Sequence, residues 1–325
     1  MKNILITGGC GFIGKNLIIH LLLHCDINKI VCVDNFSSSK EEHFIVFLKK
    51  YDILNRVTYY NGDICDKQFL NKIIERIDRI DEIYHLASIA SPIIYKQFPL
   101  ETLDTGYTGT KNMLEIAKFF NAKILFSSTS EIYGDAECSP QNETYYGNVN
   151  SYGCRSCYDE SKRIGEALCY TYKNKYNLDI RIARIFNTYG PHMMIDDGRI
   201  ITEVVRCLMN NSIVSIFGDG KQTRSICMVE DTVKMLVKLM DTDYKDPVNI
   251  GNDIEMSVID IVDTIERVYK KVTKKDVILQ KQFLPLTQND PLRRKPDLNL
   301  NKEILGDHEY ISMEVGIEKT INYFS

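Results

Sequence analysis

The sequence predicts an α/β fold: a doubly wound parallel sheet, followed by a smaller lobe partly interleaved with it. Three observations predict it. Apolar, β-branched runs alternate with stretches of helical periodicity. The runs are continuously apolar, as strands covered on both faces must be. A glycine-rich turn sits directly after the first run and opens the first helix.

Taken in order, NILITGG (3–9), KIVCVDN (29–35), VTYYNGDI (57–64), EIYHLAS (82–88) and KILFSSTSEIYG (123–134) read as buried strands. Amphipathic stretches at Lys15–His24 and Thr108–Phe120 read as the helices between them. A helix around Tyr158–Tyr176 and a strand IRIARIF (180–186) extend the sheet. Past Asn187 the strands shorten (VSIFG, 214–218), and a helix is expected near Val258–Tyr269. Residues 1–187 are therefore expected to form the first domain, with return segments near 225–252, and 188–325 mainly the second lobe.

A chain of 325 residues, 44% hydrophobic and 26% charged, is large enough for two packed units. A net charge of −4 leaves no basic excess, which argues against a nucleic-acid partner. No apolar run reaches membrane-spanning length, and the first strand begins too early for a signal peptide. Ten cysteines without regular spacing suit a reducing, cytoplasmic setting. One pair, Cys154 and Cys157, forms a CxxC, read as two passive thiols because no thioredoxin-like pattern surrounds it. No pattern of metal ligands is found.

The turn Thr7-Gly8-Gly9-Cys10-Gly11-Phe12-Ile13-Gly14 carries the first chemistry. Gly8 permits the tight turn, Gly11 lets backbone amides approach a pyrophosphate, and Gly14 allows close helix–strand packing. Phe12 and Ile13 open the helix, whose free N–H groups and dipole favour an anion. Asp34 ends the second strand 20 residues beyond Gly14, where a carboxylate can bind ribose hydroxyls. Such a site is Rossmann-like and takes NAD; Asp34 would repel the 2′-phosphate of NADP. Asn35 lies beside it. Asp63, with Ile64, is placed either to contact the adenine or as an ordinary strand-end aspartate, and Leu86, Ala87 and Ser88 complete the cofactor wall.

Tyr158 and Lys162 form a Tyr-x-x-x-Lys that lies on one helix face. A free tyrosine titrates near ~10, so a neighbouring cation is needed before it can act as a base near neutrality. Lys162 and the nicotinamide supply that field in this reading, and Tyr158 takes a proton from a sugar hydroxyl as hydride leaves the carbon. Thr129, at the carboxyl end of the fifth strand, can share the same proton.

On these residues the chain resembles the extended short-chain dehydrogenase/reductase superfamily of nucleotide-sugar enzymes, over nearly its whole length. The matching stretches are TGGCGFIG (7–14), HLAS (85–88), STSEIYG (128–134), YDESK (158–162) and RIFNTYGP (184–191). Within that superfamily it looks most like UDP-glucuronate decarboxylases, also called UDP-xylose synthases, through NETYYGNVN (142–150), RSCYDESKR (155–163), DDGR (196–199), GDGKQTRS (218–225) and DPLRRKPD (290–297). The 4,6-dehydratases of the superfamily carry Thr-Asp-Glu where this chain has Thr129-Ser130-Glu131, so the acid for water elimination is missing.

The resemblance implies that Glu131 orients a water or hydroxyl and that Arg294 is the decarboxylases' catalytic arginine. An Arg294 ion pair with Asp290 or Asp297 is the bland alternative. Arg199 and Arg224 are implied as ligands of a UDP phosphate or of uridine. Asn187, and Gln222 within GDGKQTRS, are implied to position the sugar nucleotide. A homodimer is also implied, through the helices expected near 108–120 and 158–176. The chain departs from the pattern at Ile89, Asp104, Gly106 and Tyr146, and in a long stretch at Asp66–Asp81 expected as a loop. Asp104 recurs in relatives that release a 4-keto-pentose, so UDP-xylose and UDP-4-keto-pentose both stay open as products. A C4 epimerase, a 4,6-dehydratase and a non-catalytic NAD-binding regulator are the remaining alternatives.

Overall fold

The computed structural model describes residues 1–285 and 293–325. The start of the DPLRRKPD stretch, with Asp290, lies outside the described residues. Six of the expected strands are β1 (Lys2–Thr7), β2 (Ile27–Asp34), β3 (Val57–Asn61), β4 (Glu82–His85), β5 (Lys123–Thr129) and β6 (Ile180–Ile185). A further strand, Pro247–Ile250, pairs with β6 and completes one parallel sheet. From that strand the order runs β6, β5, β4, β1, β2, β3. The chain reverses direction of winding between β1 and β4, and a crevice opens there at the carboxyl ends of the strands.

The continuous apolar character of the strands has a simple cause. Ile4 and Ile6 belong to the core on one face of the sheet, whereas Leu5 belongs to the core on the other. Neighbouring positions in β5 divide in the same way, Leu125 to one side and Ile124 and Phe126 to the other. Both faces are covered by helices, so neither can be polar.

The stretch after Asp66 is not the expected loop. Asp66 accepts hydrogen bonds from the amides of Gln68 and Phe69 and caps a helix over Lys67–Ile74. The aspartate satisfies donors that the first helical turn leaves open, and Leu70 and Ile73 bury the inner face. A π-helical segment, Thr105–Gly109, leads into the helix Thr110–Phe120. Gly106 lies within it, against the catalytic-motif helix Ser156–Tyr176: a Cβ there would stand 2.4 Å from that of Ser161.

Beyond Asn187 the helices Ile200–Asn210 and Val258–Thr273 flank small sheets. Strand Thr223–Ser225 lies between Glu255–Ser257 and Arg293–Arg294, with Arg294 in register with Arg224. The segment after Arg294 is tied back to the chain at Gln141. The Gln141 amide donates to Lys295 O (2.8 Å), and the amides of Lys295 and Asp297 donate back to Gln141 (2.8 and 2.7 Å). Arg294 is thereby carried to the mouth of the crevice.

Candidate active site

A cleft of about 400 Å³ follows the crevice from the glycine turn to Arg294. At one end Gly8 adopts φ +69°, and a Cβ on it would lie 2.7 Å from the amide nitrogen of Ala87. Gly14 is as confined: its Cβ would meet Gly8 O at 2.5 Å. The turn therefore packs backbone on backbone and leaves its outer surface, with Gly11, Phe12 and Ile13, lining the cleft.

Asp34 closes this end. Its two carboxylate oxygens accept one amide each, from Cys10 and Phe36, both at 2.9 Å. Each oxygen keeps a second lone pair for a hydroxyl donor. Burial pushes its carboxyl upward, and those two amides with Lys15 pull the other way. Asn35, Asp63 and Ile64 line the same end; the Asp63 carboxylate accepts from the Cys65 amide at 2.8 Å. Leu86, Ala87 and Ser88 form the opposite wall. The glycine cradle, the Asp34 carboxylate and the open helix start fit a dinucleotide.

At the other end Tyr158 rises from the helix Ser156–Tyr176, hydrogen-bonded to Thr129 and nine-tenths buried. Its ring stacks on Tyr95, with centroids 5.3 Å apart and planes 5° from parallel. Burial pushes its hydroxyl up to about 12. Lys162 is also buried, which brings its ammonium down to about 7, and it donates to Ser127 O at 2.7 Å. The expected lysine field on Tyr158 is therefore not what sets the hydroxyl in the protein alone, where desolvation dominates.

Ser130 and Glu131 sit on a tight turn immediately after β5. Glu131 receives a two-pronged ion pair from Arg294, Nη1 to Oε1 and Nη2 to Oε2, each 2.8 Å. Arg294 thus reaches across 163 residues to a carboxylate that the motif comparison also places in the site. Arg155 also binds Oε2 of this carboxylate, and its Nε stands 3.8 Å from Asp159 Oδ2.

Arg155, Asp159, Tyr95 and Lys15 were missed in the sequence. Arg155 lies one helical turn before Tyr158 and Asp159 immediately after it, so RSCYDESK held the signal. Tyr95 had none, because its role depends on a tertiary stack. Lys15 follows Gly14 directly, buried at the start of the first helix.

Asn187 and Arg199 also line the cleft, Arg199 paired with Asp197 at 2.7 Å. Gln222 and Arg224 do not belong to its described walls. Gln222 donates to Phe217 O, and Arg224 to Thr223 O at 2.8 Å. Arg224 lies on the strand that pairs with that of Arg294, and Gln222 immediately precedes it. The CxxC cysteines are unpaired: Cys154 is exposed, and Cys157 is buried with its thiol on Tyr95 O.

A protein-family model described as GDP-mannose 4,6 dehydratase matches residues 5–322. UDP-glucuronic acid decarboxylase 6 of Arabidopsis thaliana is 40% identical over 314 residues, 97% of this chain and 86% of the relative. UDP-glucuronic acid decarboxylase 1 of Danio rerio is 39% identical over 100% of this chain and 73% of the relative. Among solved structures, UDP-glucuronic acid 4-epimerase from Bacillus cereus, in complex with UDP-glucuronic acid and NAD, superposes with a TM-score of 0.83. It is 25% identical over 99% of this chain and 98% of its own. UDP-N-acetylglucosamine 4-epimerase from Methanobrevibacter ruminantium gives 0.86 at 25% identity, over 99% and 98%.

Proposed function

The chain belongs to the GDP-mannose 4,6 dehydratase family, and from that premise we propose that it is an NAD-dependent decarboxylase acting on UDP-glucuronate and yielding UDP-xylose. The observation that carries the reading is the Arg294–Glu131 ion pair at the end of the cleft where Tyr158 and Thr129 stand. Simple C4 epimerisation leaves such a pair without a task. The full-length likeness to UDP-glucuronic acid decarboxylases, against 25% identity to the epimerases, supports the same choice.

NAD, when bound, supplies the acceptor for the C4 hydride and returns it. Tyr158 holds the O4 proton with Thr129, and the Tyr95 stack fixes the plane of its ring. Removing hydride and proton at C4 leaves the sugar's carboxylate β to a ketone. Loss of CO₂ then sends the bonding electrons into the ketone as an enolate, and C5 must be reprotonated. Arg294 binds the carboxylate and stabilises charge that develops in this step, while Glu131 orients the arginine and the proton source. Ser130 lines the cleft immediately before Glu131. Asp34 and Asn35 hold the adenosine ribose, with Asp63 and Ile64 at the adenine; Lys15 answers the pyrophosphate. Asn187, Arg199, Gln222 and Arg224 position the UDP moiety, Arg224 from the strand beside Arg294 and Gln222 from just before it.

Residues 1–187 with the strand Pro247–Ile250 form the cofactor half in this reading, and 188–325 mainly the sugar-nucleotide half. The protein pairs as a homodimer through the helices Thr110–Phe120 and Ser156–Tyr176, on which Phe119 and Tyr170 are 73% and 66% exposed. It works in the cytoplasm, where its ten free thiols stay reduced. No helix among the described residues is long and apolar enough to cross a membrane.

Mass spectrometry of the product formed from UDP-glucuronate and NAD tests the assignment. UDP-pentose is expected. UDP-galacturonate would instead make the protein an epimerase.

A further inference from the structure

Asp159 has no place in the mechanism above, yet it is held unlike an ordinary helix aspartate. Its side chain is buried directly behind the cleft, and Oδ1 has no hydrogen-bond partner. Oδ2 stands 3.8 Å from Nε of Arg155, whose other end holds Glu131. A buried carboxylate normally recruits several donors; this one shares a single guanidinium with a second carboxylate. The groups acting on it are Glu131 from the turn after β5, Arg155 and Glu160 from its own helix, and Arg294 from the C-terminal strand. Tyr158 and Cys157 on the same helix, and Tyr95 opposite, also feel its charge.

We propose that Asp159 is a positioning residue for an acidic substrate: when a sugar carboxylate settles on Arg294, Asp159 takes up one proton and removes the like charge behind the site. The inference rests on the decarboxylase reading for the identity of that carboxylate. Its physical basis is simpler. Adding a negative charge beside Glu131 and Asp159 raises the proton affinity of whichever carboxylate is less well paired. Glu131 has two arginines on its oxygens, whereas Asp159 has one distant contact and an unpartnered oxygen. Burial and the Glu131 charge already bring its carboxyl up to about 7, so the proton is available from solvent near neutrality. The proton bound to Asp159 comes from the medium and returns to it when the product, which has lost the carboxylate, leaves.

Calorimetry in two buffers of different ionisation enthalpy reads the uptake directly. The protein is the NAD-loaded Tyr158→Phe enzyme, which holds the sugar nucleotide without rapid turnover. UDP-glucuronate should bind with little proton uptake at pH 6 and with uptake approaching one proton at pH 8. UDP-glucose, which lacks the carboxylate, should take up none beyond what its phosphates cause. Apparent affinity for UDP-glucuronate should weaken about tenfold per pH unit above 7, and Asp159→Asn should flatten this slope and abolish the uptake. Equal uptake with both sugars would overturn the proposal on the parent residue alone. Unchanged uptake in Asp159→Asn would overturn it as well. Uptake specific to UDP-glucuronate, together with a parent enzyme (Tyr158 intact) that releases no CO₂ from it, would leave the coupling standing and refute the decarboxylase reading instead.

Discussion

The two ends of the cleft are built by opposite strategies. The cofactor end is assembled from contiguous chain: the glycine turn, the helix it opens, and carboxylates at the ends of adjacent strands. Backbone meets backbone there, as the Gly8 and Gly14 contacts show, and a single added carbon collides. The reacting end is assembled from side chains of distant segments, with Glu131, Arg155, Asp159 and Arg294 converging through ion pairs. The Gln141 contacts and the pairing with the strand Thr223–Ser225 help to hold the last of these in place. The first end is specified by shape, the second by charge.

That contrast can be broken by substitution. Tyr158→Phe removes one oxygen and should lower turnover roughly 10²–10⁴-fold while NAD content stays at the parent level. Retention of more than a tenth of the rate would remove Tyr158 as the acid–base group. At the shape-specified end Gly14→Ala should act the other way. Overpacking of this kind costs about 1–3 kcal/mol, and the purified protein should hold much less NAD, with a lowered melting temperature. Full NAD occupancy in that variant would show that the turn can yield.

A smaller effect separates function from stability at Lys162. Its folded-state pKa lies below the unfolded value, so between about 7 and the ordinary lysine range the unfolded chain binds more protons. Stability from this group therefore rises with pH across that window, and the cost of burying the cation is fullest below 7. Lys162→Met should be inactive, and its melting temperature should compare most favourably with the parent near pH 6 and least near pH 10. A pH-independent difference would mean that Lys162 titrates normally. The smallest expected effect is at the CxxC. Cys154→Ser and Cys157→Ser should leave sensitivity to oxidants unchanged, since the two thiols lie in different environments.

How much was legible in the sequence follows the same division. The sheet, the glycine turn, Asp34 and the Tyr-x-x-x-Lys helix were readable because each is local: periodicity or spacing within about one element encodes it. The helix after Asp66 was misread as a loop because it is short, and its cap lies just beyond a strand end. Gln222 and Arg224 were grouped with the site by motif alone; they are not among the described walls of the cleft, and bonds to Phe217 O and Thr223 O are local contacts that the motif does not reveal. Tyr95 and the Asp159 contact were not readable, since a ring stack and an unpartnered oxygen exist only once separate segments meet.

The central claim is that Arg294 and Glu131 make this site a decarboxylase, and Arg294→Ala tests it most directly. With NAD-loaded enzyme and saturating UDP-glucuronate, CO₂ and NADH are followed together in variant and parent. The parent should release CO₂ without accumulating NADH, and the variant should release it about 30- to 1,000-fold more slowly, as loss of ~2–4 kcal/mol of transition-state stabilisation requires. Stoichiometric NADH from the parent would move the product to UDP-4-keto-pentose. Normal CO₂ release from Arg294→Ala would contradict the account.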